Sequence, residues 1–246
     1  MSQPVQDIHV DIAIIGGGVA GLWLLNRACN AGYNAVLFEQ QALGTDQTVA
    51  SQGMIHGGVK YTLGGALSGA SESIADMPAH WRLCMSGKGD VDLRGARILS
   101  DHFYMWSSQG TVSKITTFLA SKALRGRVDA LKKNDYPPIF HNAAFKGSLY
   151  KLVDMVLDVP SLLDILRKPY ADRIFAIDWQ QSQLQKKDSG ATIISNAGNE
   201  SVRINSQLTV LAAGKGNGEL LQKLDVKKPA MQLRPLQQVM VRHRHH

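Results

Sequence analysis

Three glycines and one carboxylate carry the clearest chemistry in this chain. Gly16, Gly18 and Gly21 form G-x-G-x-x-G, and Glu39 follows Gly21 by 18 residues. At that spacing Gly16 permits a tight turn, Gly18 omits the Cβ that would block a pyrophosphate, and Gly21 lets a helix lie close to its strand. Phosphate can then meet unpaired N–H groups at the helix N-terminus. The Glu39 carboxylate can accept from ribose hydroxyls and would repel a 2′-phosphate, so the implied ligand is FAD or NAD rather than NADP. A glycine triplet alone is a weak signal, because many strand-to-helix turns are glycine-rich for packing reasons.

A second group of small and polar residues occupies ASQGMIHGGVKYTLGG, from Ala50 to Gly65. Ser51 and Gln52 can present a hydroxyl and an amide, while Gly53, Gly57 and Gly58 let backbone approach a flat ligand. A flexible surface loop has the same composition. Further on, QLTVL (Gln207 to Leu211) runs into Ala212-Ala213-Gly214. Small residues at that strand end allow close approach to a nucleotide, or else tight packing against a helix.

The elements needed to hold these residues are present in order. Ile12 to Ile15 reads as a short apolar strand, a helix follows with Gly32 as its cap, and Ala35 to Phe38 reads as a second strand ending at Glu39. Ala66 to Met85 reads as a helix ending near Gly87. Arg97 to Trp106 and Thr111 to Leu119 are rich in β-branched and aromatic residues and suggest strands of a separate sheet. Leu149 to Leu157 reads as extended, and a helix opens at Pro160 and runs to Arg167. Arg173 to Trp179, Ala191 to Ser195 and Ser201 to Ile204 read as a β-meander leading to Gln207 to Leu211.

At 246 residues the chain can bury a sizeable core as one large or two unequal domains. A 44% hydrophobic content and a mean hydropathy of −0.11 are ordinary for a globular protein. No apolar run approaches the ~20 residues of a membrane span, and MSQPVQDIHVD has no secretory pattern, so a cytoplasmic address is expected. The net charge of +7 is dispersed, as in Lys132-Lys133 and Lys186-Lys187, which argues for solvated surface rather than a nucleic-acid partner and suits an anionic small-molecule substrate. Cys29 and Cys84 read as reduced core thiols. The eight histidines show no metal-ligand spacing, so no metal site is expected.

Taken together, the glycine fingerprint, ASQGMIHGGVKY and LTVLAAGKGN (Leu208 to Asn217) resemble the FAD-dependent D-amino-acid oxidase/glycerol-3-phosphate dehydrogenase superfamily. The second match is the most specific. It looks like the serine-and-HGG segment that lies against the flavin in flavin-linked glycerol-3-phosphate dehydrogenases. The resemblance implies an α/β fold: a Rossmann-like FAD-binding domain, with a parallel sheet and a β-meander, plus an α+β substrate domain. It divides the chain into residues 1–75 and 150–225 for FAD, 76–149 for substrate, and 226–246 returning to the substrate domain.

The resemblance also implies an oxidoreductase that moves a hydride from a CH–OH or CH–NH carbon to FAD, with an unidentified electron acceptor. Its cofactor residues would be Gly16, Gly18, Gly21, Glu39, Ser51, Gln52, Gly53, His56, Gly57, Gly58, Ala213 and Gly214. His56 is the candidate catalytic residue, because an imidazole can accept a proton near neutral pH; a structural role in the loop is the alternative. Lys60 and Tyr61 could hold an anionic substrate or serve a strand. Leu25 and Ala28 reverse the sizes usual in the family's first helix, a roughly volume-conserving exchange. Relatives normally continue well past 237–242, so the chain resembles a C-terminally shortened member. A nucleotide-binding module without autonomous catalysis is the second reading, and an NAD-binding dehydrogenase domain the third.

Overall fold

The computed structural model describes residues 5–59, 74–107, 127–197 and 200–234. In chain order the elements begin with β1 (Val5–Ile15), α1 (Val19–Asn30), β2 (Ala35–Glu39), β3 (Met54–Ile55), α2 (Met77–Met85), β4 (Ile98–Ser100), β5 (Phe103–Ser107) and β6 (Val128–Ala130). They continue with β7 (Ser148–Leu152), β8 (Met155–Leu157), α3 (Val159–Arg167), β9 (Ile174–Ala176), β10 (Ser182–Lys186), β11 (Ala191–Ala197), β12 (Glu200–Leu211) and α4 (Asn217–Lys223). Two compact units result. One draws on the described parts of Met1–Ser51, Asp90–Gly95 and Val159–Gln237, the other on those of Gln52–Gly89 and Ala96–Asp158.

The first unit is built on a six-stranded sheet in the order β10-β11-β12-β1-β2-β9. β12, β1, β2 and β9 run parallel, and β10, β11 and β12 form the antiparallel meander. Strand alternation sorts the core. Val10, Ala13, Ile15, Val36, Phe38, Ile193 and Ile204 bury one face with Leu220 of α4. Ile14 and Leu37, fully buried, point the other way, where Leu37 comes close to Gly21 of α1. Buried Asn26 ties α1 to α3 by donating from Nδ2 to Leu22 O at 2.8 Å and to Leu166 O at 2.7 Å.

Several segments differ from the sequence reading. β1 begins at Val5, seven residues earlier than expected. The segment read as Arg173 to Trp179 keeps only β9, and it pairs parallel to β2 at the far edge rather than joining the meander. The meander's first strand is β10, SQLQK, whose polar residues concealed it and in which Ser182 and Leu184 are the buried positions. The two short strands expected at 201–204 and 207–211 are one strand, β12. Asn205 and Ser206, which that reading left between its two strands, lie in the middle of β12, where Asn205 donates to Asp7 Oδ1 and Ser206 donates to Ala191 O across the sheet.

The second unit holds two three-stranded sheets, β3-β8-β4 and β5-β7-β6, with α2. Arg97 to Trp106 is therefore not one strand. It breaks at Asp101-His102, whose carboxylate and imidazole pair with each other, while Ser100 Oγ donates to His102 O at 2.7 Å. Leu149 to Leu157 likewise divides between two sheets at Val153-Asp154. Of the long helix read from Ala66 to Met85, α2 forms Met77–Met85 and residues 74–76 are a turn; 66–73 lie outside the described residues, as do Thr111 to Leu119 and 237–241. Val59, Leu152, Phe103, Met105 and Val128 form a small core.

Candidate functional site

The glycine turn leaves the sheet between two parallel neighbours. Gly16 N–H donates to Phe38 O of β2 at 2.8 Å, and on the other side Ala212 N–H donates to Ile15 O at 2.7 Å. The chain leaves β1 through α1 toward β2, whereas β12 lies on the opposite flank. In folds of this kind nucleotides bind where parallel strands diverge in this way at their carboxyl ends.

The three glycines do different work. Gly16 has φ +117, and a Cβ there would stand 2.5 Å from the Ala212 carbonyl. A Cβ on Gly21 would overlap the Gly16 carbonyl oxygen, so this glycine sets how closely α1 meets the turn. Gly18 is unlike both. Among the described residues a Cβ there would meet Thr48 Oγ1 alone, at 3.0 Å. The missing side chain at Gly18 therefore opens space rather than admitting a packing partner.

That space adjoins the start of α1, where Gly18 caps the helix without a side-chain bond and the first turn carries no acidic residue. Val19 N–H donates to Thr48 Oγ1 at 3.2 Å. An end of this kind attracts anions through its N–H groups and the helix dipole. Glu39 closes the turn from below: Oε2 accepts from Gly17 N–H at 2.5 Å and Oε1 from Gln41 N–H at 2.9 Å. The following loop folds back over the glycines, with Gly44 N–H donating to Gly17 O at 2.9 Å and Leu43 lying against Gly17. Ser51, exposed, donates from Oγ to Thr48 O at 2.7 Å. Ala213 N–H donates to Asn217 Oδ1 at 2.8 Å, which fixes the Ala213-Gly214 turn beside Gly16.

One unit thus gathers Gly16, Gly18, Gly21, Glu39, Ser51, Ala213 and Gly214. Gln52, Gly53, His56, Gly57 and Gly58 belong to the other. There residues 52–59 of the second glycine stretch are described, and Gly53, Gly57 and Gly58 are buried among them. Gly53 O accepts from Leu157 N–H at 2.8 Å, and β3 pairs with β8. The Gly57 residue is held at both its polar atoms: its N–H donates to Asp154 Oδ1 at 3.0 Å, and its carbonyl accepts from Arg127 Nη1 at 3.2 Å. Gly58 N–H donates to His56 Nδ1 at 3.3 Å, which places the proton of a neutral ring on Nε2. Gln52 is exposed and Lys60 and Tyr61 lie outside the described residues.

Sequence reasoning missed Thr48, Asp154 and Arg127. Asp154 lies 97 residues from Gly57 and Arg127 lies 70 away, so no local spacing could show them. Of the thiols, Cys84 is buried, and desolvation holds the half-buried Cys29 above its ordinary pKa. Cys29 therefore lacks the low pKa of a reactive cysteine. No helix among the described residues is long and apolar enough to cross a membrane.

Comparison with known proteins follows the same lines. The family model described as FAD dependent oxidoreductase matches residues 11–246. A probable FAD-dependent oxidoreductase of Pseudomonas aeruginosa is 46% identical over 237 residues, covering 96% of this chain and 59% of that protein. A crystal structure of an FAD-dependent oxidoreductase from Pseudomonas aeruginosa superposes with a TM-score of 0.70 and 38% identity over 93% of this chain and 54% of the other. Glycine oxidase from Geobacillus kaustophilus superposes at TM-score 0.62 and 17% identity, over 88% of this chain and 58% of its own, which is a likeness of fold. The chain thus spans 59% of the length of the first of these relatives.

Proposed function

We propose, on the premise that this chain belongs to the FAD-dependent oxidoreductase family, that it binds FAD and takes part in removing a hydride from a carbon bearing a hydroxyl or an amine. The observation that carries the reading is the start of α1, whose cap residue Gly18 contributes no side chain and leaves an open face beside the helix end. These residues fit a dinucleotide: backbone N–H groups for phosphate, no acidic side chain in the first helical turn, and the Glu39 carboxylate at the end of β2 for ribose hydroxyls. When bound, FAD supplies the redox chemistry.

The chain's own tasks are to bind, orient and handle a proton. Gly16, Gly18, Gly21, Glu39, Ser51, Ala213 and Gly214 would hold the nucleotide. Gln52, Gly53, His56, Gly57 and Gly58 would contact the flavin, a role that rests on the likeness of ASQGMIHGGVKY to the family segment. In this reading His56 is the proton-handling residue, and Asp154 and Arg127 act as its positioning residues by fixing Gly57. An anionic small molecule is the proposed substrate, in keeping with the net charge of +7, and a cytoplasmic location goes with it.

The test begins with the visible spectrum of the purified chain, which should show oxidised flavin that denaturation releases in fluorescent form. Folded, colourless protein that fails to take up added FAD would overturn the proposal. Anaerobic mixing with glycerol 3-phosphate, 2-hydroxy acids and amino acids then tests turnover, through substrate-dependent bleaching. Flavin that no substrate bleaches favours the second reading, a binding module whose catalysis needs more chain than these 246 residues.

A further inference from the structure

Two segments flank the glycine turn, and an ion pair between Asp46 and Lys215 joins them. On one side the loop after β2 lies on the turn through Leu43 against Gly17, Gly44 N–H to Gly17 O, and Thr48 Oγ1 accepting from Val19 N–H. On the other side the 212–216 turn packs its Ala212 carbonyl against Gly16. Lys215 Nζ reaches Asp46 Oδ1 at 2.8 Å and so closes a ring around the start of α1. Gln47 Oε1 lies 3.5 Å from where a Cβ on Gly214 would be, which puts the two segments in near contact there as well. Asp46 itself sits at φ +67, a left-handed conformation that aspartate tolerates better than most side chains.

Neither charge is needed by the sheet. Both side chains are more than half exposed, so the pair adds little to folding. What it does is join two loops across the only part of the ring that no backbone hydrogen bond closes among the described residues. We propose that Asp46 and Lys215 form a latch over the nucleotide crevice, which must open for FAD to enter or leave and which slows its exchange. This rests on the FAD reading above. The latch is electrostatic and exposed, so added salt weakens it and speeds release.

The experiment loads the whole chain with FAD and follows release, by recovery of free-flavin fluorescence after dilution, at low and high ionic strength. Asp46→Asn is the cleanest variant, because asparagine tolerates the left-handed backbone and only the charge is lost. Asp46→Asn and Lys215→Met should each release FAD about two- to fivefold faster than the parent at low salt, the range expected of one exposed ion pair, and should lose most of the salt dependence.

Release unchanged in both single variants would overturn the latch. So would slower release from Asp46→Asn, because that outcome would mean Asp46 competes with phosphate for Lys215. Equilibrium uptake by the parent chain separates the two proposals. No uptake of FAD refutes the cofactor reading, whereas tight uptake with unaltered release rates refutes the latch alone.

Discussion

At the scale of single residues, the glycine fingerprint separates folding from binding. Gly21→Ala should prevent folding, because the new Cβ would overlap the Gly16 carbonyl oxygen and backbone on both sides would have to move. Gly18→Ala should fold. Its Cβ meets only the movable end of Thr48, but it fills the space before the helix end and should weaken FAD binding at least tenfold. Circular dichroism with flavin titration distinguishes the two; equal folding and equal affinity in both variants would refute this division of labour. Glu39→Ala carries two effects. It removes the acceptor from Gly17 and Gln41 N–H, at a cost of about 1–3 kcal/mol, and it removes the ribose partner, worth about one to two decades in affinity. Urea unfolding of the nucleotide-free chain measures the first, and titration with FAD measures the second.

At the scale of elements, the structure explains why some parts were readable and others were not. The β1–α1–β2 unit was legible because its signals are local: an apolar run, three glycines, and a second apolar run, all within 29 residues. The reading of β12 as two strands failed at Asn205 and Ser206, where cross-strand bonds satisfy polar groups that in isolation suggest a turn. Glu39 was legible as a carboxylate at the end of β2, but its grip on Gly17 N–H was not, since that depends on the geometry of the turn. Asp154 is the extreme case. It interrupts what reads as one strand, and its reason for doing so is the Gly57 N–H, far away in sequence.

Because Asp154 is buried, its loss should be felt beyond the strand break. Asp154→Ala leaves the Gly57 N–H unpaired and should destabilise the chain by about 1–3 kcal/mol, whereas Asp154→Asn keeps an acceptor oxygen and should cost less. If the two variants unfold at the same denaturant concentration, the Asp154–Gly57 bond is not what holds this segment. A role in positioning His56 makes a further demand: the pH dependence of flavin reduction should move in Asp154→Ala and return in Asp154→Asn.

For the molecule as a whole, the sheet of the first unit is assembled from distant parts of the chain, since β1 pairs along its length with β12. A nucleotide at the glycine turn would bear on both, because Gly16 packs on Ala212 and the phosphates would sit at the end of α1. Such a ligand binds the folded state only, so each decade of FAD above its Kd adds about 1.4 kcal/mol of stability. For a chain of this size that corresponds to a rise in Tm of roughly 3–6 °C per decade. The expected result is a midpoint that climbs with added FAD, climbs less with NAD, and does not move with NADP, whose 2′-phosphate would meet the Glu39 carboxylate. Should the two compact units unfold in separate transitions, only the one that reports the six-stranded sheet should shift, which hydrogen exchange at β1 and β12 amides would identify. Stabilisation by NADP equal to that by FAD would contradict the role assigned to Glu39, and a midpoint indifferent to all three nucleotides would leave the glycine turn a packing device.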